Sequence, residues 1–334
     1  MQNWNLIGHA WAVRLLQEHI RHDNVRHAYL FTGPAGIGRR TLALRFAQAL
    51  NCPAPLAPGV PCGECRTCRR IAAMQHPDLY LVQAERPGST LKVEQIRELQ
   101  RGLSLAPYEA RYKIALLLRF EDAHPSAANA LLKTLEEPPP NVIVLMTAGD
   151  AESLLPTIAS RCETLRLRPL PVERVTREIA ALRNLPAKEA ALAAHLSEGR
   201  PGLALRLLDD PALMEARRQA VETLLTLLPA SRVERFAAAE SLVKDRPALE
   251  KTLQTWLSFW RDVFLLSSGA DVPLTNLDYA EAIRSIAGQV TFESGGACVQ
   301  AVQRALERLE KHVNPRLTVE TLLLDIPRLQ QHQT

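Results

Sequence analysis

The chain has no apolar run close to the roughly 20 residues that a membrane helix needs, so we expect no membrane span. Its first residues lack a basic segment followed by a long apolar core, and we therefore expect no signal peptide. Aromatic residues make up only 5% of the chain, and the net charge is only +4. Such a mild charge permits contact with nucleic acid but does not argue for it.

Cysteine is also scarce. There are only six cysteines among 334 residues, and four of them lie close together in the sequence. This distribution argues against a disulfide scaffold and favours a reducing compartment. We therefore expect a cytoplasmic protein.

The order of hydrophobic segments predicts an α/β domain followed by helical domains. Short apolar runs alternate with amphipathic segments over the first 166 residues, which is typical of a doubly wound parallel sheet. The predicted strands are Ala28–Phe31, Asp78–Val82, Lys113–Leu118, Val142–Met146 and Thr164–Leu167. A helix is predicted over Ser126–Leu135, with Ser126 as its N-cap.

After Pro169 the sequence shows almost only helical periodicity. The later predicted helices are Met214–Leu228, Val233–Val243, Arg246–Leu266, Asp278–Ala287, Cys298–Val313 and Thr318–Arg328. We predict three domains, comprising residues 1–166, residues 167–208 as a small helical domain and residues 209–334 as a larger helical one.

A glycine-rich segment between the first predicted strand and the next helix has the form of a phosphate-binding loop. Two chemical groups of such a loop are absent, because Arg39 stands where a lysine would reach the phosphates and Arg40 where a hydroxyl would bind Mg²⁺. Thr41 lies one position past the required register. The candidate nucleotide-contacting residues are Gly33, Gly36, Gly38, Arg39, Arg40 and Thr41.

Hydrolysis also needs an acidic pair after a buried strand. Glu121 and Asp122 follow the strand predicted at Lys113–Leu118, but the strand ends too early for them. A surface acidic turn is the favoured interpretation, and a displaced catalytic pair is the alternative.

The cysteine cluster is the strongest motif. Its four thiolates supply the tetrahedral sulfur set of a closed structural zinc site: Cys52, Cys62, Cys65 and Cys68. The alternatives are free cysteines on a solvent loop and a redox pair. The remaining motif is Ser160-Arg161-Cys162, where spacing alone favours a solvated surface arginine.

The run from Ala127 to Pro139 closely resembles the signature of the bacterial clamp-loader AAA+ subunits. Further resemblances are His27–Phe31, the four-cysteine insertion, His76-Pro77-Asp78 and Ser160-Arg161-Cys162. This resemblance implies a RecA-like AAA+ domain with the zinc-binding insertion at 52–68, a lid domain and a C-terminal collar for oligomerisation.

The departures from the family pattern fall on positions that touch nucleotide or metal. The Walker B acids of active members correspond to Leu118 and Arg119, and the arginine that senses the γ-phosphate falls near Gly202. Together with Arg39 and Arg40, these departures imply a subunit that either does not bind ATP or does not hydrolyse it. The isolated chain is therefore expected to be an accessory subunit without ATPase or polymerase activity.

The resemblance further implies that Arg161, flanked by Ser160 and Cys162, is an arginine finger acting on the ATP of a neighbouring gamma/tau subunit. The implied partners are gamma/tau and delta in a hetero-pentamer, and through it the β sliding clamp and primer-template DNA. Two alternatives remain open. One is an active ATPase that uses Arg39 with the displaced Glu121 and Asp122, and the other is a zinc-dependent nucleic-acid-binding module.

Overall fold

A computed structural model of the chain describes residues 4–86, 88–270 and 272–329. The chain divides into two compact units. One extends to Ile179 and includes Gly199–Leu203, and the other comprises Ala180–Glu198 and the chain from Ala204 onward. The first unit carries the sheet and the second is helical, so the predicted fold class is confirmed. The finer boundaries at 166 and 208 stay a prediction.

The first unit is built on a five-stranded sheet with the order β2-β3-β4-β1-β5, in which every neighbouring pair is parallel. The strands are β1 (Ala28–Thr32), β2 (Leu79–Val82), β3 (Lys113–Leu117), β4 (Val142–Ala148) and β5 (Glu163–Arg166). Every residue of β1, β3 and β4 is buried, as expected of inner strands covered by helices on both faces. Strands β2 and β5 are the two outermost strands of the sheet.

Helices cover both faces of the sheet, and in the described part of the second unit all of the regular structure is helical. They are α1 (Ala10–Arg21), α2 (Arg39–Asn51), α3 (Arg66–Ala72), α4 (Val93–Leu103), α5 (Pro125–Glu136), α6 (Pro156–Ala159), α7 (Val172–Arg183), α8 (Ala187–Leu196), α9 (Pro201–Asp209), α10 (Pro211–Leu227), α11 (Arg232–Leu242), α12 (Arg246–Ser267), α13 (Ala280–Ala287), α14 (Phe292–Glu310) and α15 (Pro315–Asp325). Within the described residues, no helix is long and apolar enough to cross a bilayer.

Successive side chains of each strand point to opposite faces of the sheet and so contribute to two hydrophobic layers, one on each face. In β1, Tyr29 and Phe31 pack with Phe46 of α2 on one face. Leu30, on the same strand, packs on the opposite face with residues of α4 and α5. The sheet is therefore held from both sides, which fixes the loops at its two edges.

The start of α5 differs from the sequence-based prediction. Its N-cap is His124, whose ring Nδ1 accepts a hydrogen bond from the backbone N–H of Ser126. Pro125 occupies the first helical position, where its fixed φ suits a helix and its missing N–H costs nothing. The prediction that Ser126 caps the helix is therefore wrong by two residues.

The second unit is organised around α12, whose Trp256, Phe259 and Trp260 are fully buried. The indole N–H of Trp256 donates to the carbonyl oxygen of Ala220 at 2.7 Å. Helix α14 begins at Phe292, six residues before the predicted start at Cys298. A Cβ on Gly295 would lie 3.3 Å from the Cα of Phe264, so this glycine allows α14 to approach α12 closely.

Candidate functional site

The loop after β1 has the geometry of a phosphate-binding loop. Gly33, Gly36 and Gly38 have φ values of 137°, 83° and 110°. Residues that carry a Cβ rarely adopt this positive-φ region, whereas glycine does so readily. The backbone N–H of Gly33 donates to the carbonyl of Gly149 at 2.9 Å, which ties the loop to the end of β4. Gly38 is the N-cap of α2, so the helix begins directly at the loop.

The crest of this loop is held by the start of α9, within the same compact unit. The carbonyl oxygen of Gly36 accepts hydrogen bonds from the N–H groups of Gly202 at 2.8 Å and Leu203 at 3.2 Å. A Cβ on Gly202 would lie only 2.8 Å from that oxygen. The position at which the resemblance places a phosphate-sensing arginine therefore has no room for a side chain unless the backbone moves.

Arg39 turns inward from the first turn of α2. Its side chain is only 12% exposed, and its Nη1 lies 4.0 Å from Oε1 of Glu121. Burial lowers the pKa of Arg39, and the Glu121 carboxylate opposes that effect. Within the described residues, Nη1 of Arg39 and Oε2 of Glu121 have no hydrogen-bond partner. The pair neutralises the charge but leaves part of its hydrogen-bonding capacity unused.

Glu121 lies in a short turn, as predicted, but its side chain is more enclosed than a surface turn implies. Its side chain is 23% exposed and faces Arg39, whereas the carboxylate of Asp122 pairs with Arg119 at 2.8 Å. The reason is local, since Arg119 adopts a left-handed φ of 54° two residues after the end of β3. The chain then makes a short 3₁₀ turn over Phe120–Asp122. The sheet thus places an acidic side chain beside the loop at a position that strand length alone did not predict.

The other loop residues offer little to a metal ion. Arg40 and Thr41 are exposed on the first turn of α2. Leu118, where the resemblance places a metal-binding acid, is buried in the hydrophobic layer of the sheet.

Arg161 follows the short helix α6 and precedes β5. Its Nη2 lies 2.8 Å from Oε1 of Glu136, and its Nη1 donates to the carbonyl of Thr157 at 2.9 Å. The side chain is 36% exposed, so these contacts orient the guanidinium without enclosing it. Beside it, Ser160 donates to the same carbonyl, and Cys162 is directed inward, where burial raises the pKa of its thiol to about 12.

Arg39 and Arg161 lie at opposite ends of the strands. We call these the carboxyl edge of the sheet, where the strands end, and the amino edge, where they begin. Arg39 follows the carboxyl end of β1, whereas Arg161 precedes the amino end of β5, and the two strands are parallel. Helix α5 runs from the end of β3 back to the start of β4, which carries Glu136 to the amino edge beside Arg161. Sequence reasoning missed this glutamate, because only the crossover brings it near.

The four cysteines lie together at the junction of α2 and α3. Their sulfur atoms all lie within 4.8 Å of one another. Sγ of Cys62 is 3.5 Å from that of Cys52 and 3.9 Å from that of Cys68. A tetrahedral zinc ion with Zn–S bonds of about 2.3 Å requires sulfur separations of about 3.8 Å. The donor set and its spacing therefore fit such an ion.

Backbone N–H groups point at these sulfur atoms, as they do around thiolates. Cys62 accepts from the N–H of Cys65 at 3.4 Å, and Cys65 accepts from that of Cys68 at 3.3 Å. Hydrogen bonds from the backbone of Cys65 and Glu64 lower the pKa of Cys62 to about 6. Burial raises the pKa values of Cys52 and Cys68. The cluster thus combines one thiol of lowered pKa with two thiols of raised pKa.

Two family profiles match the chain. The profile described as DNA polymerase III, delta subunit matches residues 8–171. The profile for the C-terminal part of the same subunit matches residues 211–328.

Individual relatives agree with these profiles. DNA polymerase III subunit delta′ of Bacillus subtilis is 31% identical over 317 residues, which cover 93% of this chain and 94% of that protein. Subunit delta′ of Pseudomonas aeruginosa is 39% identical over 204 residues, covering 60% and 61%. Subunit tau/gamma of Haemophilus influenzae is 32% identical over 232 residues, covering 67% of this chain and 33% of that protein. With two profiles and a near full-length relative in agreement, the chain belongs to the delta-prime family of DNA polymerase III subunits.

Proposed function

We propose that the chain is a clamp-loader subunit that does not hydrolyse ATP itself and that completes the ATP site of a neighbouring gamma/tau subunit with Arg161. In this role it forms a hetero-pentamer with gamma/tau and delta, with residues 167–208 as lid and 209–334 as collar. The assembly opens the β sliding clamp and places it on primed DNA.

The observation that carries the proposal is the contrast between two arginines. Arg39, at the phosphate-contacting position, is mostly buried and faces Glu121. Arg161 is partly exposed at a surface and is oriented by Glu136 and Thr157. A guanidinium that is exposed yet positioned can reach an anion on another molecule, and it suits phosphate because its donors are planar and its charge is permanent.

Substitution of Arg161 by alanine in the reconstituted complex tests this role. An arginine finger contributes roughly 10³–10⁵ in rate in related phosphoryl transfer. We therefore expect Arg161→Ala to lower the DNA-stimulated ATPase of the dependent site by about 10³, with assembly unchanged by gel filtration. Arg111→Ala is the matched control, since Arg111 is another exposed arginine with a single carboxylate partner, Asp23.

The purified chain provides the complementary measurement. We expect no ATP turnover above background, because a lysine, a metal-binding hydroxyl and the Walker B acids are replaced. Turnover that Arg39→Ala or Glu121→Gln abolishes would instead establish an active ATPase. Unchanged ATPase and clamp loading in the Arg161→Ala complex would refute the arginine finger.

We also propose that the cysteine cluster holds a structural zinc ion. Cys52 ends α2, and Cys65 is the N-cap of α3, so the ion would join the ends of two helices. Four sulfur ligands leave no open coordination position, which fits a structural site rather than a catalytic one.

Metal analysis of the purified chain tests the zinc site. About one zinc per chain is expected by mass spectrometry, as in other closed four-cysteine sites. Cys68→Ser should lose the metal, whereas Cys298→Ala should keep it, because Cys298 lies in the other compact unit. A wild-type chain that neither contains zinc nor takes it up would identify the cluster as free thiols.

A further inference from the structure

A basic cavity lies on the first compact unit beside the glycine loop, since Nε2 of its lining residue His9 is 3.2 Å from the carbonyl oxygen of Ile37. Its volume is about 440 Å³, within the range of pockets that hold small ligands or single units of larger ones. It is lined by His9, Ala10, Trp11, Arg14, Arg166, Arg168, Pro169, Leu170 and Arg174. The lining contains four arginines and no acidic residue.

The positive charge of this cavity is only partly compensated from outside. Arg166 pairs with Glu152 and Arg174 with Glu178, both at 2.6 Å. Arg14 and Arg168 are exposed, and neither has an ion pair or hydrogen bond with any residue in the described part of the chain. Burial lowers the pKa of His9, which disfavours a charged ring. Two unit charges remain for a ligand.

The arrangement of the arginines favours an extended anion over a compact one. Arg166 and Arg168 alternate with Leu165 and Leu167, which are buried, so both arginines lie on the outer face of one extended segment. Residues two apart in such a segment are separated by about 6.6 Å. Arg14 adds a third cation from α1. The spacing of Arg166 and Arg168 matches successive phosphates of a strand, whereas a single phosphate group would need donors that converge.

An aromatic side chain completes the cavity. Trp11 lies one turn of α1 before Arg14, and 45% of its surface is exposed, which is unusual for so large an apolar side chain. Every nucleobase has a flat face that can stack on such a ring.

We propose that this cavity binds single-stranded DNA, with Arg14 and Arg168 contacting phosphates of the strand and Trp11 stacking on one base. The proposal does not depend on Arg161 or on the zinc site, since none of those residues lines the cavity. Its chemistry is the usual one for strands bound without sequence preference, namely a basic groove and a stacking platform.

Fluorescence anisotropy with a labelled 12-residue oligothymidylate and the full-length chain tests the proposal. Neutralising two phosphates contributes about 1.4 to the slope of log affinity against log salt for a single strand. The double variant Arg14→Gln/Arg168→Gln should therefore lower that slope by about 1.4 and weaken binding roughly tenfold at 0.1 M salt. The matched control is Arg284→Gln/Arg308→Gln, which removes two exposed arginines of the other unit.

Tryptophan emission gives an independent readout. Of the four tryptophans, Trp4, Trp256 and Trp260 are buried, so quenching by unlabelled oligothymidylate reports Trp11. Trp11→Ala should abolish the quenching and weaken binding about tenfold.

Three outcomes would overturn the proposal. They are affinity and salt slope unchanged in Arg14→Gln/Arg168→Gln, quenching retained in Trp11→Ala, and displacement of the oligonucleotide by micromolar ATP. The last would identify a site for a free nucleotide instead. Circular dichroism of each variant shows whether a loss of binding comes from unfolding.

Discussion

The carboxyl and amino edges of the sheet carry arginines in opposite circumstances. At the carboxyl edge, Arg39 is mostly buried and faces Glu121 at 4.0 Å, and the backbone of the glycine loop is bonded to the start of α9. At the amino edge, Arg161 is in closer contact with Glu136, at 2.8 Å, yet both side chains remain substantially exposed. The two edges thus differ more in solvent access than in the charges they carry.

This difference teaches that distance alone does not rank ion pairs. Water screens an exposed pair and both side chains lose entropy on pairing, whereas a pair with restricted access to water interacts more strongly but has lost hydration. At the carboxyl edge, Arg39 and the backbone of the glycine loop consequently make their contacts within the chain. The amino edge keeps a cation that another molecule can take over at small cost.

The largest effect is expected at the crest of the glycine loop. In Gly36→Ala the new Cβ would meet that of Leu203 at 2.8 Å in addition to occupying a φ of 83°. Strain and overpacking together should lower the free energy of unfolding by about 3 kcal/mol. In the control, Gly38→Ala, the Cβ meets nothing within 4 Å, so only backbone strain of about 1–2 kcal/mol applies. Equal losses in urea denaturation would show that α9 does not hold the loop.

A double-mutant cycle on Arg39 and Glu121 should show a smaller effect. With Arg39→Gln, Glu121→Gln and the double variant, we expect a coupling free energy of about 1–2 kcal/mol, because the pair is largely shielded from water. Urea denaturation followed by circular dichroism measures it. A coupling free energy near zero would mean that the interaction between Arg39 and Glu121 does not stabilise the fold.

The same cycle on Arg161 and Glu136 should show the smallest effect. An exposed pair is worth about 0.2–1 kcal/mol, despite its shorter distance. The variants are Arg161→Gln, Glu136→Gln and both together, and high salt should reduce the coupling further. A larger coupling here than at Arg39 and Glu121 would reverse the comparison between the two edges.

Much of this fold could be predicted from local patterns. The continuous apolar runs at Lys113–Leu118 and Val142–Met146 predicted two strands that are buried in the structure, and the glycine spacing predicted the turn into α2. The predicted start of α14 was wrong because Ser294, Gly295 and Gly296 are poor helix formers, and close packing on α12 overrides that preference. The cap of α5 was misplaced because His124 is a rare capping residue.

For the site, the sequence by itself determined which groups are present or missing: arginines at the loop, four cysteines at zinc spacing, and Ser160-Arg161-Cys162. Only the tertiary structure decided which groups meet. Glu121 faces Arg39 because two parallel strands end at one edge, and Glu136 reaches Arg161 because a crossover helix returns to the other. The four arginines of the basic cavity are spread over some 160 residues and likewise meet only after folding. Side-chain identity is local, whereas proximity and access to water are properties of the packed sheet.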